Sequence, residues 1–449
     1  MRRAGLTVLL LATCCVTYLW YRAGGPSGYG VIAIGLLAIK IVMARGHKPQ
    51  EVAQVDTAEL DQRWVNAVVP VFNEDPQVMA ACLESLLGQT RLPQSIVVVD
   101  DGSTDRRALA EARRWQARFQ ARGVDYQVLA FPVNRGKREA MIAGLDRHAE
   151  TDLLLGIDSD TKLDRDAVGQ LILPFSDPRT TVATGLVMAL NYDATILSRL
   201  IDVRYSQAFM GERAAYSTLG SMLCACGSLA MYRADVVRKY KDDFLNQVFM
   251  GQRAVAGDDR RLTNYGLLEG RTVLQETAMA QTMVPERMGH FLRQQVRWGR
   301  SFFRESFWVV HHLPMRRPAF WLTLIELTWT CISFPVMMAL LVVPFIFGFS
   351  LYGIYAAYVS LLAYARCFTY LEQPELRSWK DRWFGFALAP LYALLHVVLL
   401  VWLRLYALFT LRRTGWGTRA DVEVGLERPI EEVARHLAGP ASLAQNPAS

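Results

Sequence analysis

Cysteine is scarce: seven in 449 residues, scattered, with Cys14, Cys15, Cys331 and Cys367 inside apolar runs. No disulfide framework follows from that spacing. The close pair Cys224 and Cys226 has no second cysteine or histidine pair at ligand spacing, so it does not make a zinc site by itself. The GxxxxGK[ST] phosphate loop is missing, which disfavours a nucleoside-triphosphate hydrolase. A net charge of +7 is present without any zinc-finger or RNA-binding pattern. Much of the excess stands beside apolar runs, as in Arg316, Arg317, Arg412 and Arg413, and suits anionic lipid headgroups better than nucleic acid. Arg2 and Arg3 precede an apolar run with no small-residue cleavage site after it, so that run reads as an anchor rather than a signal peptide.

What is abundant is apolar sequence, unevenly spread. Hydrophobic residues make up 52% of the chain and charged residues 20%. Runs at 5–20 and 29–43 predict two N-terminal transmembrane helices within 1–48. Runs at 319–349, 351–371 and 384–410 predict a C-terminal transmembrane region over 318–411. Arg2, Arg3, Arg45 and Lys48 bracket the first two spans, which places both outer ends, and the soluble stretch between the two membrane regions, in the cytoplasm. Amphipathic interface helices are expected near 194–216 and over 287–317. If the loop at 412–420 is cytoplasmic, as the family resemblance described below implies, an even number of crossings is required after residue 318, while three apolar runs are visible. Either 384–410, interrupted by Pro390, enters and returns, or 319–349 hides two short segments. The polar tail 421–449 reads as disordered.

Residues 60–290 alternate strand and helix. WVNAVVPV (64–71) and SIVVVD (95–100) are β-branched runs bounded by turn residues, with further strands near 124–131, 152–158 and 181–187. Helices are expected at 76–89, 105–121, 137–148 and 164–174, the first with Asp75 as N-cap and Pro76 behind it. Alternation of this kind predicts an α/β domain with a mostly parallel sheet covered on both faces, which binds ligands at the carboxyl ends of its strands.

Every acidic motif begins where an expected strand stops. The first strand runs into Pro70, Phe72, Asn73 and Glu74; the second ends in Asp100 and Asp101, a pair that could equally cap the next helix. The fourth ends in Asp158-Ser159-Asp160, two carboxylates able to converge on Mg²⁺ or Mn²⁺, ions that complete their shells with phosphates. Asn134-Arg135-Gly136-Lys137 opens a helix whose N-terminus favours anions. Gly257-Asp258-Asp259 offers a general base from another side of the pocket. Gln294-Gln295-Val296-Arg297-Trp298 lies in a basic, aromatic helical segment: Arg297 can clamp a diphosphate and Trp298 can face a sugar ring, or both can anchor to headgroups.

Taken in order, PVFNED, VVVDDGSTD, NRGK, DSD, GDDRRLTN and QQVRW resemble the processive family 2 glycosyltransferases, and most closely hyaluronan synthases and nodulation chitin-oligosaccharide synthases. CACGSLAMYR (224–233), WGRSFFRE (298–305) and LRRTGWGTR (411–419) extend the resemblance over about 60–420. It implies a GT-A fold inserted between transmembrane and interface helices, and a polymerase in the plasma membrane with coupled export. The implied donor-binding residues are Pro70, Phe72, Glu74, Asp100, Asp101, Lys137, Asp158, Gln294, Arg297 and Arg419. Asp158 and Asp160 would hold the metal, Mn²⁺ or Mg²⁺, and Asp259 with Asp258 the catalytic role. Cys226, Gly227 and Trp298 would meet the acceptor. The implied partners are UDP-GlcNAc, UDP-glucuronate if the product alternates, the growing polysaccharide and the bilayer. Ser228 departs from the proline usual after the glycine, and Cys226 matches the chitin-type enzymes rather than hyaluronan synthases, which leaves acceptor identity open. The alternatives are a chitin-type GlcNAc polymer or oligomer, a single-sugar transferase to polyprenyl phosphate (which typically lacks QxxRW), and a non-catalytic scaffold or export subunit.

Overall fold

The computed structural model describes residues 27–348, 350–372 and 377–413. The expected first span, Arg419 and the tail lie outside them. Helix α1 (Ser27–Gly46) leads into the sheet-forming region through residues 47–64. There Gln50 and Gln275 exchange two backbone-to-amide hydrogen bonds of 3.0 and 2.8 Å, pinning the segment after α1 to the domain.

The sheet begins with β1 (Val65–Val71), α2 (Pro76–Leu87), β2 (Ser95–Asp100), α3 (Arg107–Arg114), β3 (Asp125–Ala130), α4 (Lys137–Leu145) and β4 (Leu153–Gly156). After β4 come β5 (Thr161–Leu163), α5 (Ala167–Leu171), β6 (Thr180–Ala189), α6 (Ile196–Ser206), β7 (Ala230–Arg233), α7 (Asp258–Glu269) and β8 (Arg271–Thr282). One eight-stranded sheet results, in the order β3-β2-β1-β4-β7-β6-β8-β5. Strands β3, β2, β1 and β4 run parallel, as do β6 and β8; β7 is antiparallel to both neighbours and β5 to β8.

Alternation along β1 explains the two layers. Val65, Ala67 and Val69 pack with Met79 and Leu83 of α2, whereas Val68 packs with Ala140, Ile142 and Leu145 of α4. A strand buried on both faces needs apolar residues at both parities, which is why these runs read as continuous rather than alternating. At the head of α2 the Asp75 carboxylate accepts from the amides of Gln77 and Val78, with Pro76 where no N–H is needed.

The helices that follow are α8 (Met288–His312), α9 (Pro318–Phe347), α10 (Ser350–Cys367) and α11 (Trp379–Phe409). Among the described residues, Pro318–Ala339 and Trp379–Phe409 are long and apolar enough to cross a membrane. Neither alternative expected for the extra crossing is found: α9 is one continuous helix, and α11 does not turn back at Pro390. That proline sits in the first turn of the Ala389–Leu395 segment, where a missing N–H breaks no intrahelical bond. The expected interface segment at 194–216 is α6 continued by a π-helical stretch, Gln207–Arg213. A second π-helical turn, His396–Leu400, interrupts α11.

Candidate active site

The loops at the carboxyl ends of β1, β2 and β3 are tied into one wall. Asn73, at φ +46°, accepts from the Thr104 amide at 2.9 Å and its hydroxyl at 3.0 Å, joining PVFNED to DDGSTD. Gly102, at φ +70°, lies so close to Val133 that a Cβ would stand 2.3 Å from its carbonyl carbon, so only glycine lets this loop meet NRGK. Across that contact the Asp101 carboxylate accepts from the amides of Arg135 and Gly136, at 2.7 and 2.9 Å. Burial pushes Asp101 above its ordinary pKa, and these two amides oppose the shift.

Asp158 and Asp160 both line the cavity in front of this wall. Ser159 between them also borders the cavity, its hydroxyl donating to Glu74 at 2.7 Å. Asp160 accepts from the Thr282 hydroxyl at 3.0 Å, so β8 supports the DxD turn from the far side. Asp158 is held at both oxygens, by Lys137 Nζ at 2.5 Å and the Ser228 hydroxyl at 3.1 Å. The same ammonium lies 3.3 Å from Asp258, so Lys137 bridges the DxD and GDD motifs. Burial alone would push Lys137 down, but Asp158 and Asp258 outweigh it and hold the ammonium well above its usual range.

Asp259 sits in the first turn of α7. Burial raises its pKa, the neighbouring Asp258 charge raises it further, and Lys137 and Arg260 oppose both. Its Oδ1 accepts from the Arg260 amide at 2.7 Å, and the Cys224 thiol lies 4.0 Å from Oδ2. The three motifs meet at Gly227: a Cβ there would stand 3.1 Å from Lys137 Nζ, 3.6 Å from Asp158 Oδ2 and 3.8 Å from Asp259 Cβ. Residues more than a hundred positions apart thus crowd one point.

Pro70, Phe72, Glu74, Asp101, Lys137, Asp158, Asp160, Cys226, Gly227, Asp258, Asp259, Gln294, Arg297 and Trp298 all line one cavity of about 1930 Å³. Asp100 is the exception. It is 2% exposed, does not line the cavity, and among the described residues its carboxylate oxygens make no hydrogen bond. Successive residues at a strand end face opposite ways, so Asp101 points into the site and Asp100 behind it. Ser228 and Thr282 have no signature in the sequence as site residues, since a serine or threonine hydroxyl carries no characteristic spacing.

The cavity does not stop at the acids. It continues past Trp298 between α1, α6, α9, α10 and α11, and is lined there by Lys40, Arg204, Glu212, Glu326, Trp329, Tyr355, Arg366, His396 and Arg404. The Gln207–Arg213 turn lines it throughout, and Arg213 Nε donates to the Cys224 carbonyl at 2.8 Å.

A model described as Glycosyl transferase family 2 matches residues 67–241. A hyaluronan synthase of Streptococcus pyogenes is 34% identical over 404 residues, 88% of this chain and 91% of that one. The chain belongs to glycosyl transferase family 2. An N-acetylglucosaminyltransferase of Neorhizobium galegae is 33% identical over 384 residues, 85% of each chain. Among solved structures, a mannosyltransferase of Pyrobaculum calidifontis aligns over 87% of this chain and 99% of its own, at 17% identity and a TM-score of 0.53. That likeness carries the GT-A fold, and the sheet described above is its mostly parallel core. The protein is a glycosyltransferase.

Proposed function

We propose that the protein is a membrane-integrated, inverting, processive polymerase of UDP-sugars, joining GlcNAc alternately with glucuronate and exporting the product from the cytoplasmic face of a plasma membrane. The observation that carries this reading is the meeting of Lys137, Asp158 and Asp259 around Gly227, at the head of a cavity that runs on among the membrane-side helices.

On this reading Asp259 takes the proton from an acceptor hydroxyl, which attacks the anomeric carbon from the side opposite UDP. Its raised pKa suits a general base, which works best when its affinity for the proton approaches ambient pH. Lys137 and Arg297 stabilise charge developing on the leaving diphosphate. Asp101 and the wall around it hold the nucleotide, and Trp298 offers its face to the acceptor sugar. Asp158 and Asp160 fit a hard divalent cation: both are oxygen donors facing the cavity, and among the described residues no third histidine, cysteine, aspartate or glutamate closes a cage around them. Asp158 and Asp160 would hold Mn²⁺ or Mg²⁺, which would supply charge neutralisation to the diphosphate.

The passage chemistry favours an acidic polymer over a chitin-type one. Arg204 pairs with Glu212 at 3.3 Å and Lys40 with Glu326 at 2.5 Å, and Arg366 and Arg404 line the same passage, so these four cations share two acids. An excess of cations among apolar helices is costly unless something anionic visits it. A carboxylate on every second sugar would do so, and a neutral polymer would not.

The test uses purified protein in lipid with UDP-GlcNAc and UDP-glucuronate, singly and together. Polymer formed only from the pair and digested by hyaluronidase is the expected result. Polymer from UDP-GlcNAc alone that chitinase removes replaces it with the chitin reading, and a single glycolipid product ends the polymerase reading. Asp259→Asn should abolish transfer while UDP still binds; a variant that polymerises refutes the base assignment.

A further inference from the structure

Asp259 has few restraints of its own. One oxygen takes the amide of the next residue, and the nearest thiol is 4.0 Å away. Its direction is therefore inherited from the backbone of α7, which packs on the sheet on one side and is gripped on another by a single face of α8.

Ser301, Arg304, Glu305 and Trp308 stand on that face at positions i, i+3, i+4 and i+7. Ser301 presses on the residue before α7: Gly257, at φ +93°, leaves room such that a Cβ would be 2.2 Å from the Ser301 hydroxyl. Arg304 donates to the Ala256 carbonyl at 2.9 Å. Glu305, fully buried, accepts from Asn264 Nδ2 at 3.0 Å and Gln247 Nε2 at 2.7 Å, and lies 2.9 Å from Arg261 Nε. Trp308 covers the Arg261 guanidinium at 4.5 Å. An ion pair this deeply buried contributes little to stability compared with apolar packing, because both charges lose their water. Its usefulness lies in direction, since a carboxylate with three partners fixes the angle of the helix that supplies two of them.

One turn earlier the same helix presents Gln294, Arg297 and Trp298 to the cavity. Between the two sets Gly299 packs on α11, a Cβ there falling 2.9 Å from the Ala407 methyl. We infer that Glu305 is a positioning residue for the transfer step: through Arg261 and Asn264 it sets α7 so that Asp259 is held at fixed separation from the diphosphate and acceptor groups carried by α8. This rests on Asp259 being the base.

The test compares the Glu305→Gln/Arg261→Met pair with Glu305→Asp. The first removes both buried charges but keeps one acceptor oxygen, for either Gln247 or Asn264; the second keeps the charge and shortens the reach by one methylene. Both are expected to bind UDP as the parent does, with donor KM within about threefold, while kcat falls roughly ten- to a hundredfold, the size of loss that about 1 Å of misplacement causes. A purely structural role would move melting temperature and leave the kcat of folded protein alone. Parental kcat in either folded variant overturns the inference, as does failure of both to fold. If Asp259→Asn is inactive and the Glu305 variants keep full kcat, only this inference falls; if Asp259→Asn polymerises, the base assignment beneath it falls.

Discussion

Gly227→Ala adds one methyl at the point where three motifs meet. The glycine is not in the left-handed region, so alanine meets no backbone penalty. The added carbon would stand 3.1 Å from Lys137 Nζ, 3.6 Å from Asp158 Oδ2 and 3.8 Å from Asp259 Cβ. Of these contacts only the first is too tight, and it is to the far end of a flexible side chain whose ammonium is paired with Asp158 and Asp258. A shift of a few tenths of an ångström relieves it, so the fold should lose less than about 1 kcal/mol. The methyl remains, however, in the space that a donor sugar must occupy if it is to lie between the DxD acid and the base. Forcing a group into filled space costs about 1–3 kcal/mol, which corresponds to roughly a ten- to hundredfold fall in kcat/KM. Initial rates of UDP release measure that fall, and titration with UDP alone, which lacks the sugar, should be unaffected. A folded variant whose kcat/KM stays within about twofold of the parent would place the sugar elsewhere and refute the reasoning. So would a parallel loss of UDP affinity, which would mean the methyl disturbs the nucleotide wall instead.

Glu276 lines the cavity near the end of α1, 3.3 Å from His47, and burial lifts its pKa from 4.5 to about 7. A carboxyl that holds its proton more tightly folded than unfolded favours the fold below its unfolded pKa, and that contribution is lost as pH rises through the folded value. Glu276→Gln should therefore gain melting temperature relative to the parent as pH rises from about 4.5 to about 7; parallel curves would refute the assignment. Replacing Arg366 and Arg404 together by glutamine should leave the rate of the first transfers intact but shorten the polymer made from both UDP-sugars, read on a gel. Unchanged chain length would remove the argument that these cations serve an anionic product.

The strands and helices of the parallel half are legible because their residues decide them locally: SIVVVD is buried at every position, and Asp75-Pro76 caps its helix as its chemistry dictates. The half beyond β4 is harder to read. Strand β7 is four residues long and antiparallel, and β8 carries Glu276 beside a register shift, so neither shows a clean period. The acids of the site are legible because carboxylates at strand ends have few uses. Ser228 touches Asp158 and Glu305 touches α7; both stand in stretches that carry the resemblance, yet the stretches do not give these contacts, since each depends on which element lies opposite. Asp100 shows the reverse failure: two adjacent acids look equivalent along the chain, and the alternation of a strand separates them.

Helix α8 also bears on how polymerisation and passage are joined. On the proposed function each turnover adds one sugar at Asp259, so the chain must withdraw by one unit before the next donor can enter. Among the described residues, the volume leading away from Trp298 runs between α6 and α11, and the π-helical turns of both, Gln207–Arg213 and His396–Leu400, border it. An inserted residue widens a helix locally and redirects side chains, a device that recurs where helices border functional sites. Because α8 packs directly on α11 through Gly299 and Ala407, while its other faces carry Trp298 and grip α7, a rigid shift of α11 cannot occur without moving the acceptor platform or the base. Withdrawal of the polymer is therefore easiest as sliding along a fixed wall. On that argument, locking α8 to α11 with a crosslink between positions 299 and 407 should leave chain elongation running, whereas a mechanism that rocks these helices at each step would stall.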